Sequence, residues 1–524
     1  MEAKFDFRGL FVLDLANNHQ GDLGHATNLI RRHAEVVKKH GARAAIKFQF
    51  RELDGFIHPA HKTGSNNRHI PRFLSTRLST AQFETLRNEV RKMGLLAMCT
   101  PFDEDSVDTA SGMGFDVLKV ASCSAQDWPL LEKIAAAGKP VVFSTGGLDQ
   151  AEVDDLVSFF DHRGIDYGIM HCVPIYPTPS ALCNLANIAT FRERYPGRVI
   201  GWSTHEDPAD TDPVMVAVAQ GAEMFERHIG LKTDKVSLNA YSSTPEQIEA
   251  WLQAMGKARA LCGSAVRLPP IPEESEAIDG LKRGIFARGA IEKGTAITRD
   301  QVYFAMPCGT GQFTSGRWKE GMRALTDIPA DSPLLEGQVA APPEPDIKVL
   351  KTAVHEVKAL LNLARVPLSS EFAVEYSHHY GIAKFRETGV VIIDCINREY
   401  CKKILVQLPR QSHPAHFHKR KEETFQILWG ELHTELDGRH KVLQPGDTQL
   451  VMPGVWHRFW TQTGCVFEEV STTHFNNDSV YRDPEINKLE RSSRKTIVDH
   501  WGRFQILDAA GVATDVDAKR SEPT

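Results

Sequence analysis

Short apolar runs recur along the first half of the chain, and each of them ends in polar or charged residues. The runs fall at residues 11–13, 44–46, 95–98, 117–118, 141–143, 167–170, 199–202 and 224–225. A stretch long enough for a helix separates each run from the next, as at residues 26–39, 81–92, 151–160 and 245–261. Buried strands that alternate with helices in this number predict an α/β fold of the (β/α)8, or TIM-barrel, type.

The polar residues that follow these runs are predicted to share one pocket. In a (β/α)8 barrel the C-terminal ends of all strands converge on one mouth, where active sites lie. Side chains that are far apart in the sequence therefore become neighbours, and the pattern indicates an enzyme. The residues concerned are Asp14, Asn17, Asn18, His19, Lys47, Gln49, Thr100, Lys119, Ser122, Ser144, Thr145, His171, Ser203, His205, Glu226 and His228.

Two proline-rich segments, residues 268–272 and 341–345, divide the chain. They predict a TIM-barrel domain at residues 1–267, a second body at 279–341 and a third at 350–508. The second body contains a weak internal repeat, in which residues 290–297 resemble 327–334, and this predicts a compact β-rich module. The third opens with a helical stretch at 352–363 and continues with short alternating segments, which predict a small all-β barrel or jelly roll.

Composition changes this picture little. The chain has 524 residues, of which 42% are apolar and 24% charged, as in ordinary soluble proteins. A net charge of −6 gives no global attraction to nucleic acid or to an anionic membrane, and no apolar stretch approaches the length of a membrane span. The nine cysteines lie mostly in or beside apolar runs, which favours reduced thiols. We expect a cytoplasmic enzyme without a nucleic-acid or membrane partner.

Basic and hydroxyl side chains at the predicted mouth suit a phosphate group. Lys47 and Lys119 supply charge, and hydroxyls such as those of Thr100, Ser122 and Ser203 donate hydrogen bonds. A single buried lysine is as often an ion-pair partner, but two on neighbouring strands favour the binding interpretation.

His205 and His228 end the seventh and eighth predicted strands, so both imidazoles are expected on one side of the mouth. Neutral imidazoles bind Mn²⁺, Zn²⁺ or similar ions, and a two-histidine site leaves positions open for a substrate oxygen. The alternative is that each is a core histidine bonded to the backbone. Their position at strand ends favours the metal.

Short motifs follow one another in a fixed order along the barrel. They are Lys47-Phe48-Gln49, Thr100-Pro101-Phe102-Asp103, Lys119-Val120-Ala121-Ser122, Ser144-Thr145-Gly146, His171-Cys172, Tyr176-Pro177-Thr178-Pro179, Asn184-Leu185, Gly201-Trp202-Ser203-Thr204-His205 and Glu226-Arg227-His228. With these motifs the chain resembles the sialic acid synthase family over about its first 340 residues. The second body, from Leu281-Lys282-Arg283-Gly284 onwards, is similar to that family's antifreeze-like (SAF) domain, a small β-clip module.

The resemblance implies a transferase that condenses phosphoenolpyruvate with an aldose, N-acetylmannosamine or a related sugar, and releases phosphate. The product would be a 2-keto-3-deoxy acid of the sialic or nonulosonic type. It further implies Mn²⁺ or Mg²⁺ on His205 and His228, and a homodimer in which the SAF module caps the partner's barrel. Asp14 and Gln49 would lie near the metal and the sugar. The residues implied to bind phosphoenolpyruvate are Lys47, Thr100, Lys119, Ser122, Asn184 and Ser203.

Several positions depart from the family pattern and favour a different aldose or a modified sugar. Asp14 replaces a usual glutamate, and Ser124 stands where an acidic residue commonly follows the Lys-x-x-Ser motif. Residues 305–308 lack the arginine that usually precedes a Pro-Gly pair, and residues 238–242 differ from the usual Pro-Asp-His form.

The third body carries a second metal motif. His416, His418, Glu423 and Gly430 have the spacing His-x-His-x4-Glu-x6-Gly, and His457 follows 453–454, as in cupins. Residues two apart on a strand face the same way, so both histidines should enter the barrel while Glu423 and His457 arrive from adjacent strands. Three imidazoles and a carboxylate suit Mn²⁺, Fe²⁺, Zn²⁺ or Ni²⁺. A metal-free cupin or a run of surface histidines is the alternative.

Around this motif lie Lys421-Glu422-Glu423-Thr424-Phe425, Phe467-Glu468-Glu469-Val470-Ser471 and Arg494-Lys495. These residues resemble the D-lyxose isomerase type of sugar-binding cupin. That likeness implies aldose–ketose isomerisation or sugar binding, with Glu468 or Glu469 as the acid/base partner. Three hypotheses follow. In the first, the barrel is a synthase and the cupin isomerises or captures a related sugar. In the second, the cupin is an isomerase on a non-catalytic barrel, and in the third the cupin senses the product sugar and regulates the barrel.

Overall fold

The computed structural model describes residues 4–265, 267–342, 346–368, 372–475, 477–499, 506–507 and 513–514. The chain divides into two compact units, Met1–Pro269 and Pro270–Thr524, at the first proline-rich segment. The predicted domain limits Met1 and Asp508 lie outside the described residues.

The first unit is a closed barrel of eight parallel strands, each paired with its neighbours in chain order and the last with the first. This confirms the predicted (β/α)8 barrel. The strands are β1 (Phe11–Asp14), β2 (Ala44–Phe50), β3 (Leu96–Pro101), β4 (Val117–Val120), β5 (Val141–Ser144), β6 (Tyr167–Cys172), β7 (Val199–Thr204) and β8 (Met224–His228).

Helices surround the barrel, and several of them begin at a side chain that caps the first turn. Asp22, for example, accepts a hydrogen bond from the His25 backbone N–H at 2.8 Å. The helices are α1 (Leu23–Lys39), α2 (Leu53–Phe56), α3 (His69–Ser75), α4 (Thr80–Lys92), α5 (Glu104–Gly112), α6 (Trp128–Ala136), α7 (Gln150–His162), α8 (Ala186–Arg194), α9 (Asp212–Ala219) and α10 (Pro245–Cys262).

Alternation along each strand separates two buried surfaces. One set of side chains points outward and packs against the helices, as Phe11, Leu118 and Phe225 do. The other set points into the barrel, where one end is closed by an apolar cluster. That cluster includes Val12, Ala45, Met98, Val117, Val142, Met170, Val199 and Met224. The polar side chains that point into the barrel therefore lie at the opposite end, the C-terminal mouth.

The second unit opens with α11 (Pro272–Asp279) and a small β module. The two copies of the predicted internal repeat contact each other at equivalent positions. Ile291 of the first copy and Ile328 of the second exchange two backbone hydrogen bonds of 2.8 Å. Val302 and Val339 follow the two copies at the same distance along the chain, and both are buried in the module's core. Its strands are β9 (Gly284–Ala287), β10 (Ala296–Ile297), β11 (Val302–Ala305), β12 (Met322–Ala324) and β13 (Val339–Ala340).

After α12 (Asp346–Leu363) two antiparallel sheets pack face to face, which confirms the predicted jelly roll. One sheet holds β14 (Ala373–Ser377), β15 (Val390–Asn397), β16 (Tyr400–Gln407), β18 (Glu423–Gly430), β21 (Thr448–Val451), β23 (Cys465–Thr472) and β25 (Lys495–Asp499). The other holds β17 (Ser412–His418), β19 (Leu432–Leu436), β20 (Arg439–Leu443), β22 (His457–Trp460) and β24 (Ser479–Tyr481). The remaining elements are α13 (Pro484–Lys488), α14 (Arg491–Arg494), β26 (Ile506–Leu507) and β27 (Ala513–Thr514).

Two further observations concern the whole described chain. Among its helices, none is both long and apolar enough to cross a membrane. All nine cysteines lie in described segments and are free thiols.

The buried His33 on α1 makes the barrel sensitive to acid. Its two ring nitrogens lie 2.9 Å from the Leu29 carbonyl oxygen and 3.2 Å from the Ser243 carbonyl oxygen. Burial, partly offset by these carbonyls, lowers the pKa of His33 from 6.5 to about 4. Because the unfolded chain binds the proton more readily, we expect this residue to lower the free energy of unfolding by up to about 3 kcal/mol as pH falls through that window.

Urea denaturation at about pH 7 and about pH 5 checks this expectation. The His33→Gln variant should lose less stability between the two pH values than the wild type does. The matched control is His162→Gln, at an exposed position on α7, which should keep the wild-type difference. An unchanged pH dependence in His33→Gln would show that other groups govern acid sensitivity.

Candidate active site

The C-terminal mouth of the barrel holds a cavity of about 740 Å³. Its lining contains most of the site residues predicted from the sequence, which are Asp14, Lys47, Gln49, Thr100, Lys119, Ser122, Ser203, His205 and His228. Of the strand-end residues expected in the pocket, His19, Thr145 and His171 are absent from this lining. Asn184 is absent as well, and it is exposed on the turn before α8. The chain topology therefore gathers residues from all parts of the first unit into one pocket.

The floor of this cavity consists of two layers of inward-pointing side chains, each contributed by alternate strands. The even-numbered strands contribute Lys47, Lys119, Cys172 and Glu226, each two residues beyond an apolar residue of the barrel interior. The odd-numbered strands contribute Asp14, Thr100, Ser144 and Ser203. The period of two that buries the apolar residues thus also aims these polar groups at the pocket.

Glu226 connects the two lysines of the floor. Lys119 Nζ lies 3.1 Å from Glu226 Oε2, and Lys47 Nζ contacts Glu226 Oε1 while lying 3.2 Å from Asp14 Oδ2. The expectation that the lysines occupy neighbouring strands is wrong, since β3 lies between β2 and β4. They come together because side chains of alternate strands share a layer.

Burial and pairing act in opposite directions on these charges. Burial disfavours the charged form of Lys47, but Asp14 and Glu226 outweigh it and raise its pKa. Burial lowers the pKa of Lys119, and Glu226 only partly offsets this effect. Burial also opposes ionisation of Glu226, yet Lys119 and Lys47 overcome it and hold its pKa below the usual range. The charge of Lys119 therefore depends on this one carboxylate.

The two imidazoles of the mouth meet above this floor. The ring centroids of His205 and His228 are 5.3 Å apart. His205 Nδ1 lies 3.2 Å from the Val173 carbonyl oxygen, so this nitrogen carries the proton and Nε2 keeps its lone pair. His228 Nδ1 is buried, lacks a hydrogen-bond partner in the described chain and lies 3.4 Å from Asp14 Oδ2.

These imidazoles have the chemistry of metal ligands. Burial, reinforced by the neighbouring His228, lowers the pKa of His205 to about 3. Burial also lowers the pKa of His228, although Asp14 partly offsets it. Both rings are neutral at physiological pH and offer lone pairs toward the same space, with a carboxylate beside them. The residues present therefore fit a divalent ion.

A buried ion pair fixes the segments that carry the two imidazoles. Glu206 follows His205, Arg227 precedes His228, and the two charged side chains contact each other with almost no exposure. Arg227 Nε also donates a hydrogen bond of 2.6 Å to Ser243 Oγ. The pair lies outside the cavity lining and holds the ends of β7 and β8 together.

Some residues of the lining were assigned no role in the sequence analysis. Glu226 belongs to a quoted motif, and its position two residues after Met224 was the signal that it points inward. Tyr176 also lies in a motif and contacts both imidazoles, with ring centroids 4.1 Å from His205 and 6.3 Å from His228. Arg51 directly follows β2, so strand-end reasoning could have found it. Arg68 and Arg72 follow no apolar run, and that reasoning had no means of finding them.

The second unit contains a compact group of metal-ligating side chains. His416, His418, Glu423 and His457 are all buried, and their ligand atoms lie within 4.8 Å of one another. Within the described segments, these are the residues that meet this criterion with three or more ligand atoms. Burial and the neighbouring His457 hold the pKa of His416 well below its usual value, which leaves a neutral ligand. The set therefore fits a divalent ion.

The predicted route of one ligand into this group is wrong. His457 does lie on the strand adjacent to the two histidines, because β22 pairs with β17 through His416 and His457. Glu423 instead begins β18, which belongs to the facing sheet. The turn between β17 and β18 crosses from one sheet to the other, so the carboxylate approaches from the opposite side.

A second carboxylate adjoins the group. Lys421 Nζ lies 2.5 Å from Glu423 Oε2 and 2.9 Å from Glu469 Oε1, with all three side chains buried. Glu468 points to the other face of its sheet, where it pairs with Lys402 at 3.2 Å. Of the two predicted acid/base candidates, only Glu469 is therefore near the metal ligands.

Comparison with known proteins agrees with this architecture. The NeuB family model matches residues 34–267, and a cupin domain model matches residues 404–467. An uncharacterized protein of Methanocaldococcus jannaschii is 32% identical over 292 residues, which cover 55% of this chain and 82% of that protein. The human N-acetylneuraminate-9-phosphate synthase is 26% identical over 296 residues, covering 56% of this chain and 81% of that enzyme.

A solved structure extends the comparison. The crystal structure described as spore coat polysaccharide biosynthesis protein E from Chromobacterium violaceum is 43% identical, with a TM-score of 0.61, and the match covers 64% of this chain and all of that one. The resemblance to sialic acid synthases and the expected class of enzyme, a transferase, are thereby confirmed at the level of the family. The chain belongs to the NeuB family and carries a cupin domain in its C-terminal part.

Proposed function

We propose that the barrel condenses phosphoenolpyruvate with an aldose to form a 2-keto-3-deoxy acid of the sialic or nonulosonic type, with release of phosphate. The observation that carries this proposal is the arrangement of two floor lysines beneath two neutral imidazoles in one cavity. In such a site the lysines can bind a phosphate group and the imidazoles can bind a metal ion, and both sets of side chains lie in the same cavity. Family membership supports the same reaction.

Five cavity residues are assigned to phosphoenolpyruvate. Lys47 and Lys119 would neutralise its anionic groups, and the hydroxyls of Thr100, Ser122 and Ser203 would donate hydrogen bonds to its oxygens. A buried floor strengthens these interactions because little water competes for them. Asn184, which the resemblance adds to this set, lies outside the lining, so the proposal depends on the other five residues.

The aldose is assigned to the space beside the imidazoles. A divalent ion, Mn²⁺ or Mg²⁺, held by His205 and His228 would polarise the sugar's aldehyde when bound. Asp14 Oδ2 accepts a hydrogen bond of 3.3 Å from Gln49 Nε2, so these two side chains form one polar wall of that space. They would orient the sugar hydroxyls and keep its carbonyl carbon facing phosphoenolpyruvate.

The reaction balances without a further reactant apart from water. The methylene carbon of phosphoenolpyruvate forms a bond to the aldehyde carbon, and water adds to the neighbouring carbon. The bond from that carbon to the bridging oxygen then breaks, and phosphate departs. The chain contributes two functions, which are charge neutralisation of the phosphate by the floor lysines and alignment of the two carbons.

We propose a separate sugar site in the cupin. The metal fit of His416, His418, Glu423 and His457 supports a bound Mn²⁺, Zn²⁺, Fe²⁺ or Ni²⁺. Glu469, held by Lys421 next to these ligands, would be the acid/base group if the cupin isomerises a sugar related to the barrel's substrate. If the cupin only binds sugar, the same carboxylate would accept a hydroxyl hydrogen bond.

The three-body organisation and the assembly are part of this proposal. The compact β module at residues 284–340 supports an SAF-like second body between the barrel and the cupin. By its likeness to that module we propose a homodimer in which it caps the partner's barrel, and we propose that the enzyme works in the cytoplasm.

Phosphate release from phosphoenolpyruvate with a panel of aldoses tests the assignment. We expect His205→Ala to reduce the rate at least about a hundredfold, because the aldehyde loses its activation. The His418→Ala variant should retain synthase turnover, and His162→Ala serves as the exposed control. If only His418→Ala abolished turnover, the barrel would not be the catalytic site. If His418→Ala removed only inhibition by product, the cupin would be a sensor.

A further inference from the structure

The cations that line the barrel cavity fall into two groups. Lys47 and Lys119 each contact a carboxylate on the floor. Arg51, Arg68 and Arg72 line the same cavity on the side of β2 and α3. Across the described segments of the chain, none of these three arginines has a carboxylate oxygen within the 4.0 Å of an ion pair. The positive charge of this side is therefore not neutralised by the protein.

The local sequence explains how the arginines reach the cavity. Arg68 directly precedes α3, and Arg72 lies one helical turn later, so both occupy one face of this segment with Phe73 beside them. Arg51, just beyond β2, is clamped between two aromatic rings. Its guanidinium carbon lies 4.1 Å from the ring centre of Phe73 and 3.6 Å from that of Phe102.

Most donors of these guanidinium groups remain available to a ligand. Arg72 donates only from Nη2, to the Asn17 carbonyl oxygen at 3.4 Å and to Asn18 Oδ1 at 3.5 Å, within the described chain. Arg51 donates to Gln49 Oε1 at 3.3 Å. A guanidinium carries five N–H groups arranged to match carboxylate and phosphate oxygens, so these long contacts leave a bidentate edge open.

Burial makes an unpaired Arg51 unfavourable. The side chain is half-buried, and burial, partly offset by more distant negative groups, lowers its pKa from 12.5 to about 10. A bound anion would offset that cost, as the acidic partners do for the floor lysines. A smaller cavity of about 290 Å³ adjoins this point and shares Asn17, Gln49, Arg51 and Phe73 with the main one. There is room here for a substituent that extends beyond the reacting atoms.

We propose that the acceptor aldose carries an anionic group, a phosphate or a carboxylate, which Arg51, Arg68 and Arg72 bind at the side of the cavity formed by β2 and α3. This inference rests on the proposed function, because it assigns phosphoenolpyruvate to the floor lysines. The sugar then spans the cavity, with its aldehyde near His205 and His228 and its charged end at the arginines. The positive charge of the arginines therefore favours anionic sugars over neutral ones.

Three sugars of one configuration test the proposal in the full-length protein. These are mannose, mannose 6-phosphate and mannuronic acid, each supplied with phosphoenolpyruvate and Mn²⁺ while phosphate release is followed. We expect kcat/KM to be at least about tenfold higher for an anionic sugar than for mannose, as one charge-assisted hydrogen bond would give. The better of the two anionic sugars identifies the charged group as phosphate or carboxylate.

Arginine variants test which side chains cause the preference for an anionic sugar. Both Arg72→Gln and Arg68→Gln, at exposed positions that should not affect folding, are expected to reduce the preference for the anionic sugar about tenfold. The KM for phosphoenolpyruvate should stay within about twofold of the wild-type value. The matched control is Arg31→Gln, because Arg31 is exposed on α1, lies outside the lining of both cavities and already pairs with Glu89 Oε1 at 2.6 Å.

The outcomes separate this inference from the proposed function. Turnover with mannose equal to or better than that with the anionic sugars contradicts the anionic acceptor and leaves the synthase proposal standing. A raised KM for phosphoenolpyruvate in Arg72→Gln, with the sugar preference intact, also overturns it, because the arginines would then serve the other substrate. Phosphate release with none of these sugars, nor with the wider aldose panel, contradicts the proposed function and this inference together.

Discussion

Replacing Glu226 by glutamine is expected to reduce kcat/KM for phosphoenolpyruvate at least about a hundredfold. Glu226 contacts both Lys47 and Lys119 from a position that is only 3% exposed. Burial already lowers the pKa of Lys119, so without this carboxylate its amine would lose the proton and could no longer neutralise a phosphate. Lys47 would keep only Asp14 as its acidic partner.

The same substitution should lower the free energy of unfolding by about 3 kcal/mol, because it leaves buried ammonium groups with too few acidic partners. Kinetics are therefore measured on protein shown by circular dichroism to be folded. The control is Glu223→Gln, one residue before the same strand, where an exposed carboxylate pairs with Arg8 at 3.4 Å. A Glu226→Gln enzyme with nearly wild-type kcat/KM would mean that the floor lysines do not bind phosphoenolpyruvate.

The second large effect is expected in the cupin, where His416→Ala should weaken metal binding by at least about a hundredfold. Loss of a ligand costs more than loss of an outer-shell partner, which typically costs ten- to a hundredfold. His416 is buried, and its ring centroid lies 4.1 Å from that of His457. The protein should then lose one equivalent of divalent ion per chain, and its thermal midpoint should rise less than that of the wild type when metal is added.

Metal analysis of the dialysed full-length protein measures this loss. The His440→Ala variant, on β20 of the same sheet but exposed, should keep the wild-type metal content. Equal metal content in His416→Ala and wild type would contradict the assignment of His416 as a metal ligand. Because the barrel's histidines are untouched, phosphate release should persist in either variant.

The parts of the fold that follow from period-two alternation could be predicted from the sequence. Each barrel strand is a short apolar run that ends in polar residues, and the closed sheet turns those ends into one pocket. His416 and His418 were predictable for the same reason, since residues two apart on a strand share a face. Such patterns depend only on neighbours along the chain.

Features set by packing between distant segments could not be predicted in this way. The bridging role of Glu226 depends on which strands share a layer, and the arrival of Glu423 from the facing sheet depends on where the chain crosses over. Two of the cavity arginines, Arg68 and Arg72, lie at and within α3, whose placement at the mouth depends on contacts such as Arg72 with Asn17. Asn184 matched a motif, yet the turn that carries it directs it away from the lining.

The central claim is that this barrel joins phosphoenolpyruvate to an aldose, and the most direct measurement is identification of the product. The full-length protein is incubated with phosphoenolpyruvate labelled with carbon-13, Mn²⁺ and each aldose of the panel. The claim predicts equimolar phosphate and a labelled keto acid whose mass is that of the aldose plus pyruvic acid. Labelled pyruvate and phosphate appearing at a rate independent of the aldose, without that acid, would contradict it.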